Sequence, residues 1–197
     1  MDAKRARIFD AAATLFAEHG FQGVTTRSIS ERADVAEGTL FRYAETKAEL
    51  LLMVYNVEFG AAITAGKAAA ERLDDPTDAV CALVLPVLER NRNPDTAILY
   101  QRELFYGSGT NEHRTQGLAL VAILEQAIAS ALVVAADDTS EATLRAAERA
   151  SRLVFAALHL ALAQPSTHAH PGKAPAAELR AQIDLVVRGF LDTVRTS

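Results

Sequence analysis

The stretch TTRSISERADVAEGTLFRYAETK, residues 25–47, leaves few folds open to this chain. Ile29 and Ala33 are four apart and share one face of a short helix that Thr25 opens as N-cap, its hydroxyl accepting an otherwise orphaned backbone N–H. That face is apolar. Asp34-Val35-Ala36 interrupts the pattern, and aspartate is one of the few non-glycine residues that tolerate the left-handed backbone of a tight turn. A second short helix follows. At about 100° per residue, Leu40 and Ala44 fall on one side of it while Gly38, Thr39 and Arg42 point the other way, flanked by Phe41 and Tyr43. One side packs and the other is offered outward. A guanidinium, a hydroxyl, two rings and a glycine that lets backbone come close suit that outward face to a DNA major groove. The spacing predicts helix-turn-helix.

With the residues before it, this stretch resembles the DNA-binding domain of the tetracycline-repressor (TetR) family. Ile8, Ala11-Ala12, Leu15-Phe16 and Gly20-Phe21 are similar to the family's first helix and its exit, and Thr25, Arg27 and Ile29 to the start of its second. Gly38-Thr39-Leu40, Lys47 and Leu50 are similar to its recognition helix and the entry to its fourth helix. Asp34, Phe41 and Ala44 depart from the family pattern, which carries glycine, tyrosine and a large aromatic there. The resemblance covers about the first quarter of the chain, and it implies a homodimeric, ligand-responsive regulator, more often repressor than activator, acting on a palindromic operator. It also implies the mechanism: an effector held in the helical body shifts the fourth helix and changes the distance between two recognition helices.

Composition bounds the rest. The 197 residues, half apolar and 23% charged, are enough to bury a core. The lone Cys81 excludes an intrachain disulfide and a cysteine zinc cluster, and it suits a reducing cytoplasm. No apolar signal core follows Lys4, Arg5 and Arg7, and no run is expected to span a membrane. Net charge is −5, from −1 over residues 1–50 (seven basic, eight acidic) and −4 over 51–197 (thirteen basic, seventeen acidic). Placement matters more: Lys4, Arg5, Arg7, Arg27, Arg42 and Lys47 all stand where the helix-turn-helix puts DNA.

Read in order, the chain is all α, about nine helices, with residues 1–47 as the DNA-binding domain and 48–197 as the effector-binding and dimerisation domain. The first helix spans 5–18, and Thr46 with Glu49 forms a capping box that opens a long fourth helix towards Leu73. Pro76, Pro94 and Pro175 mark helix starts, the first two behind Asp75 and Asn93 as caps, and Pro86 should kink the fifth helix. The sixth helix is expected over 94–106. The seventh, over 111–135, should bury Leu118, Val121, Ile128 and Leu132. An eighth over 140–163 and a ninth with Leu179, Ile183, Val187, Phe190 and Leu191 in one stripe flank a loop over 164–174.

The candidate DNA contacts are Arg27, Glu37, Gly38, Thr39, Phe41, Arg42, Tyr43 and Lys47. Lys47 stands on a helix N-terminus, where phosphate is attracted. Arg27 reaches a phosphate or lies solvated. Glu37 can accept from a cytosine amino group or simply favour the helix dipole. For an effector, Tyr100, Glu103, Tyr106, His113, Arg152, Phe155 and His159 offer polar anchors or aromatic walls, and each also fits a structural role. The wide apolar faces of the last two helices suggest a four-helix dimer interface through Leu153, Val154, Ala157, Leu158 and Ala161 on one helix. Ile183, Val187, Phe190 and Leu191 complete it on the other, unless both stripes only finish a monomer core.

Rival classes are weaker. No Gly-rich phosphate loop, HExxH, GxSxG or metal-ligand set occurs, and His168-x-His170 lacks a nearby cysteine or acid, so no enzyme, metal or cofactor is expected. A helical dimeric interaction module without sequence-specific DNA binding is the remaining alternative.

Overall fold

Helix boundaries here follow caps and prolines. The computed structural model describes residues 3–89, 94–107, 111–167, 172 and 174–196, and among them nine helices and no strand form. They are α1 (Ala3–His19), α2 (Thr26–Arg32), α3 (Glu37–Leu40), α4 (Lys47–Ala70), α5 (Pro76–Glu89), α6 (Pro94–Tyr106), α7 (Glu112–Ala136), α8 (Glu141–Thr167) and α9 (Pro175–Arg195). Two compact units result, one of Met1–Glu58 with Asp95–Leu118, the other of Phe59–Pro94 with Ala119–Ser197. This division is discontinuous in sequence, whereas the residue pattern suggested one cut after residue 47.

In the first unit, α1 buries Ile8, Ala12, Leu15 and Phe16, and Gly20 ends it in the left-handed region at φ 66°. Thr25 and Ser28 form a reciprocal capping box that fixes the start of α2, and Asp34 makes the following turn at φ 51°. Ile29, Ala33, Leu40 and Ala44 then meet α1 and the start of α4 in one core with Leu50, Leu51 and Val54. Thr46 accepts the Glu49 N–H at 3.1 Å, but the Glu49 carboxylate takes the N–H of Glu45 at 2.9 Å, one residue earlier than a reciprocal box would have it. Asn111 caps α7, its side chain accepting the Arg114 N–H at 2.7 Å.

In the second unit, Asp75 caps α5 as expected, accepting the Asp78 N–H at 2.8 Å; Asn93 lies outside the described residues. α5 stays helical through Pro86. That proline leaves the Ala82 carbonyl without its usual donor, and Gly66 of α4 faces it so closely that a Cβ there would stand 2.8 Å from the Ala82 oxygen. α9 packs along α8 and α5, burying Leu179, Ile183, Val187 and Phe190, with Arg180 pairing Asp78 and Thr77 donating to Asp184.

Three expectations are corrected. Leu118 is exposed, since the buried stripe of α7 runs through His113, Gly117, Val121, Leu124, Ile128 and Leu132. α8 passes Pro165 and reaches Thr167, whose hydroxyl donates back to the Ala163 carbonyl at 3.0 Å. α4 and α7 are long and apolar enough to cross a membrane by length and composition, with mean hydropathies of 1.3 and 2.2 over their best windows. Core helices pass the same test, and each carries a stripe of buried residues here. His168 and His170 lie outside the described residues.

Candidate nucleic-acid interface

The two sides of the recognition segment separate sharply. Leu40 and Ala44 are buried, while Glu37, Gly38, Phe41 and Arg42 are exposed, and Thr39 and Tyr43 are half-buried. Bonds from Arg42 N–H to Thr39 and from Tyr43 N–H to Leu40 tighten its last turn into an i→i+3 form. A Cβ added at Gly38 would meet nothing within 4 Å, so packing inside the protein does not call for glycine there. Among the described residues the Arg42 side chain has no hydrogen-bond or ion-pair partner, which leaves its guanidinium available.

The other candidate cations are engaged. Arg7 pairs with Asp34 at 3.2 Å, Arg5 with Glu112 at 3.7 Å, and Arg27 with Glu31 at 2.9 Å. The bond to Glu31 and its charge raise the Arg27 pKa above its ordinary value. These exposed pairs exchange readily for phosphate. Glu37 accepts the Thr26 hydroxyl at 3.2 Å, a bond that ties α3 to the start of α2. Lys47 revises the sequence reading: its ammonium turns inward, donating to the Phe21 and Val24 carbonyls at 2.9 Å each. Desolvation lowers its pKa. Two of its three donors are thereby committed, and the positive end of α4 gives an ammonium no reason to stay outside.

Residues 8–54 match the family described as bacterial regulatory proteins, tetR family. The chain is 39% identical over 75 residues to the HTH-type transcriptional repressor KstR of Mycolicibacterium smegmatis, a match spanning 38% of this chain and 31% of that one. It is 42% identical over 64 residues to KstR of Rhodococcus jostii, covering 32% of this chain and 30% of the relative. The chain thus spans about a third of the length of the curated relatives it matches. Residues 8–54 are thus a TetR-family domain. The fold carries the likeness further: Thermus thermophilus FadR, a TetR-family transcriptional repressor solved in complex with lauroyl-CoA, superposes at TM-score 0.68 and 25% identity over 94% of each chain. A TetR transcriptional regulator from Rhodococcus sp. RHA1 shares the fold at TM-score 0.69 and 19% identity, over 93% of this chain and 95% of that one.

Against that TetR-family fold, the seven effector candidates scatter. Tyr100 and His113 lie in a buried polar chain of the first unit, where Tyr100 donates to the Asn56 side-chain oxygen at 2.8 Å and the His113 Nε2 meets the Tyr43 carbonyl at 2.9 Å. Burial raises the pKa of Tyr100, and Tyr55, stacked on it at 5.5 Å, is pushed up to about 12 by burial with the Glu58 charge assisting. Glu103 accepts from Arg102, Tyr106 and Arg152 are exposed, and Phe155 and His159 are half-buried on α8, where desolvation lowers the His159 pKa. None of the seven lines the cavity of about 650 Å³ in the second unit, which opens between the end of α4, α5 and α7. Its walls are Leu83, Ala127 and Ala131 with Lys67, Glu71, Asp74, Gln126 and Ser130, and exposed Leu73, Ile123 and Val134 stand at its edge. Alanine and serine on a helix carry no sequence signal of a pocket; only the side chains of α7 that face away from its buried stripe point there.

The dimer residues divide as well. Val154, Leu158, Ala161, Ile183, Val187 and Phe190 are buried between α8, α9 and α5 of this one chain, so they are core and are not accessible to a partner. Leu153 is exposed, and Ala157 and Leu191 are half-buried. Among the described residues of α8 and α9, the large apolar side chains left in solvent are Leu144 at 44%, Leu153 at 60%, Leu160 at 49% and Leu185 at 72%, and these are the ones a partner could cover.

Proposed function

We propose that this chain is a ligand-responsive transcriptional regulator, acting as a repressor that binds a palindromic DNA operator as a homodimer. One observation carries the reading. On the recognition segment Leu40 and Ala44 anchor the helix, while its other face offers an open Gly38, an unpartnered Arg42 and an exposed Phe41 to something outside the chain. Glycine inside a helix costs about 0.5–1 kcal/mol relative to alanine, a loss that nothing within the protein repays. Close approach of a DNA backbone or base edge accounts for it.

Support for the other parts is of different kinds. Exposed Leu153, Leu160 and Leu185 on the last two helices favour a second copy of the chain, and two copies would set two recognition helices against two half-sites. The cavity on α4, α5 and α7 falls within the size range of small-molecule sites. Its mostly apolar walls, with Glu71 and Asp74 beside Lys67, Gln126 and Ser130, suit an effector with an apolar body and one polar end; the FadR relatives were solved with stearoyl-CoA and lauroyl-CoA. By linkage, a ligand that weakens DNA binding must bind the DNA complex more weakly by the same factor.

Selection from a random DNA pool tests the core of the reading. The wild-type chain should enrich one inverted repeat, and Gly38→Val, which has room within the protein, should fold and enrich none. A wild type that selects no sequence would overturn it. Titration with lauroyl-CoA, with and without the enriched DNA, then tests the cavity; equal affinity in both states would exclude that molecule as the signal.

A further inference from the structure

The last carbonyls of a helix have no intrahelical N–H to meet, and the recognition segment ends at such a carbonyl, that of Tyr43. His113, 3% exposed at the start of α7, supplies a donor from its Nε2 at 2.9 Å. Because a carbonyl can only accept, Nε2 carries a proton; Nδ1 is buried with no hydrogen-bond partner among the described residues. The chain of bonds continues. The His113 carbonyl accepts from the Asn56 side-chain amide of α4 at 2.7 Å, and the other end of that amide accepts the Tyr100 hydroxyl of α6 at 2.8 Å. Gly117, one turn on, makes this approach possible: a Cβ there would stand 2.6 Å from Leu104 Cδ1 and 2.8 Å from Asn56 Oδ1.

We infer that His113 is a positioning residue for the recognition helix. Through the Tyr43 carbonyl it fixes the carboxyl end of that helix, and through Asn56 and Tyr100 it makes the fixing depend on how the start of α7 is seated against α4 and α6. The inference rests on the reading that the recognition segment meets DNA, but the fixing is a property of the free protein. The unmatched Nδ1 costs desolvation energy for as long as the ring stays buried, so a shift of α7 that lets solvent reach the ring offsets part of the loss of the Tyr43 bond. Residues further along α7 line the cavity of the second unit, so the helix that would feel an effector also carries the latch.

Hydrogen exchange on the full chain tests this without DNA. His113→Leu should speed exchange of the amides from Thr39 to Ala44 by about tenfold or more while amides of α9 keep their rates. His113→Gln, whose amide reaches the same carbonyl, should restore protection. Gly117→Ala alters neither partner of the Tyr43 bond, yet by forcing α7 away from Asn56 it should loosen the same amides. Unchanged exchange at 39–44 in His113→Leu, or an equal rise across α9, overturns the positioning role. Protection left intact in Gly117→Ala overturns the dependence on α7, and this variant and His113→Gln decide the matter if His113→Leu does not fold. On DNA enriched by the wild type, His113→Leu should lose about tenfold in affinity with an unchanged salt slope, because no phosphate contact is removed. A wild type that enriches no DNA would sink the DNA reading alone, since the exchange pattern would still report the latch.

Discussion

The ammonium of Lys47 lies 4.2 Å from the centroid of the Phe21 ring and donates to the carbonyl of that same residue at 2.9 Å. A cation held over a ring face and bonded to two carbonyls clamps the exit of α1 to the entry of α4. Lys47→Met keeps the stem and loses the charge, so it should destabilise the first unit on the order of 2 kcal/mol. Thermal melting checks this. The salt slope of DNA binding should stay as in wild type; a slope reduced by about two per dimer would return Lys47 to phosphate.

The exposed and buried leucines of α8 and α9 predict opposite failures. Leu185→Asp places a charge on the surface of the free chain, so it should leave the monomer folded and abolish dimers at micromolar concentration. Leu158→Asp buries an unpaired carboxylate in a core site 1% exposed and should unfold the second unit. Sedimentation with circular dichroism separates the two. A Leu185→Asp protein that remains dimeric would move the interface elsewhere.

What the residues revealed and what they hid has a physical pattern. Thr25, Asp34, Leu40 and Ala44 were legible because caps, turns and short-range spacing are decided within a few residues of chain. Lys47 was not, because a long side chain at a helix start can face phosphate or fold back, and only the carbonyls 23 and 26 residues away decide. On α8 and α9, periodicity finds the strongest apolar stripe, and that stripe satisfies the chain's own core first. Of the residues left over, Leu153 was singled out because it stands beside that stripe, whereas Leu160 and Leu185 fall out of phase with it and were not. His113 and Tyr100 were singled out as polar groups on apolar helices, but sequence cannot tell a ligand anchor from a member of a buried hydrogen-bond chain.

Asp138 gives the fold a dependence on acid. It accepts from the Thr143 side chain and from the backbone and side chain of Ser140, and these bonds hold its pKa below the ordinary 3.8. A depressed folded pKa means that the stabilisation is present above the unfolded value and is lost as pH falls through the folded one. Asp138→Asn should therefore lower the melting temperature at pH 7, and the gap to wild type should close as the pH is taken below about 4. A gap constant from pH 7 to pH 3 would mean that the carboxylate's charge contributes nothing.

Arg42 and Arg27 separate reading from positioning. Both are exposed cations of the helix-turn-helix, but Arg27 lies at the first turn of α2 in an ion pair with Glu31, whereas Arg42 stands unpartnered on the outward face of the recognition segment. An arginine that only meets phosphate weakens all sequences alike when removed and lowers the salt slope by about one per half-site. One that reaches a guanine edge in the major groove costs about 1–3 kcal/mol per base contact and relaxes selection at symmetric positions of the operator. Arg27→Ala should follow the first course and Arg42→Ala the second, in parallel selections from one random pool. If Arg42→Ala keeps the wild-type preference at every position and only flattens the salt slope, Arg42 is a phosphate anchor. Reading would then pass to Glu37, Thr39 and Tyr43, of which Glu37 reaches base edges only by giving up the Thr26 hydroxyl.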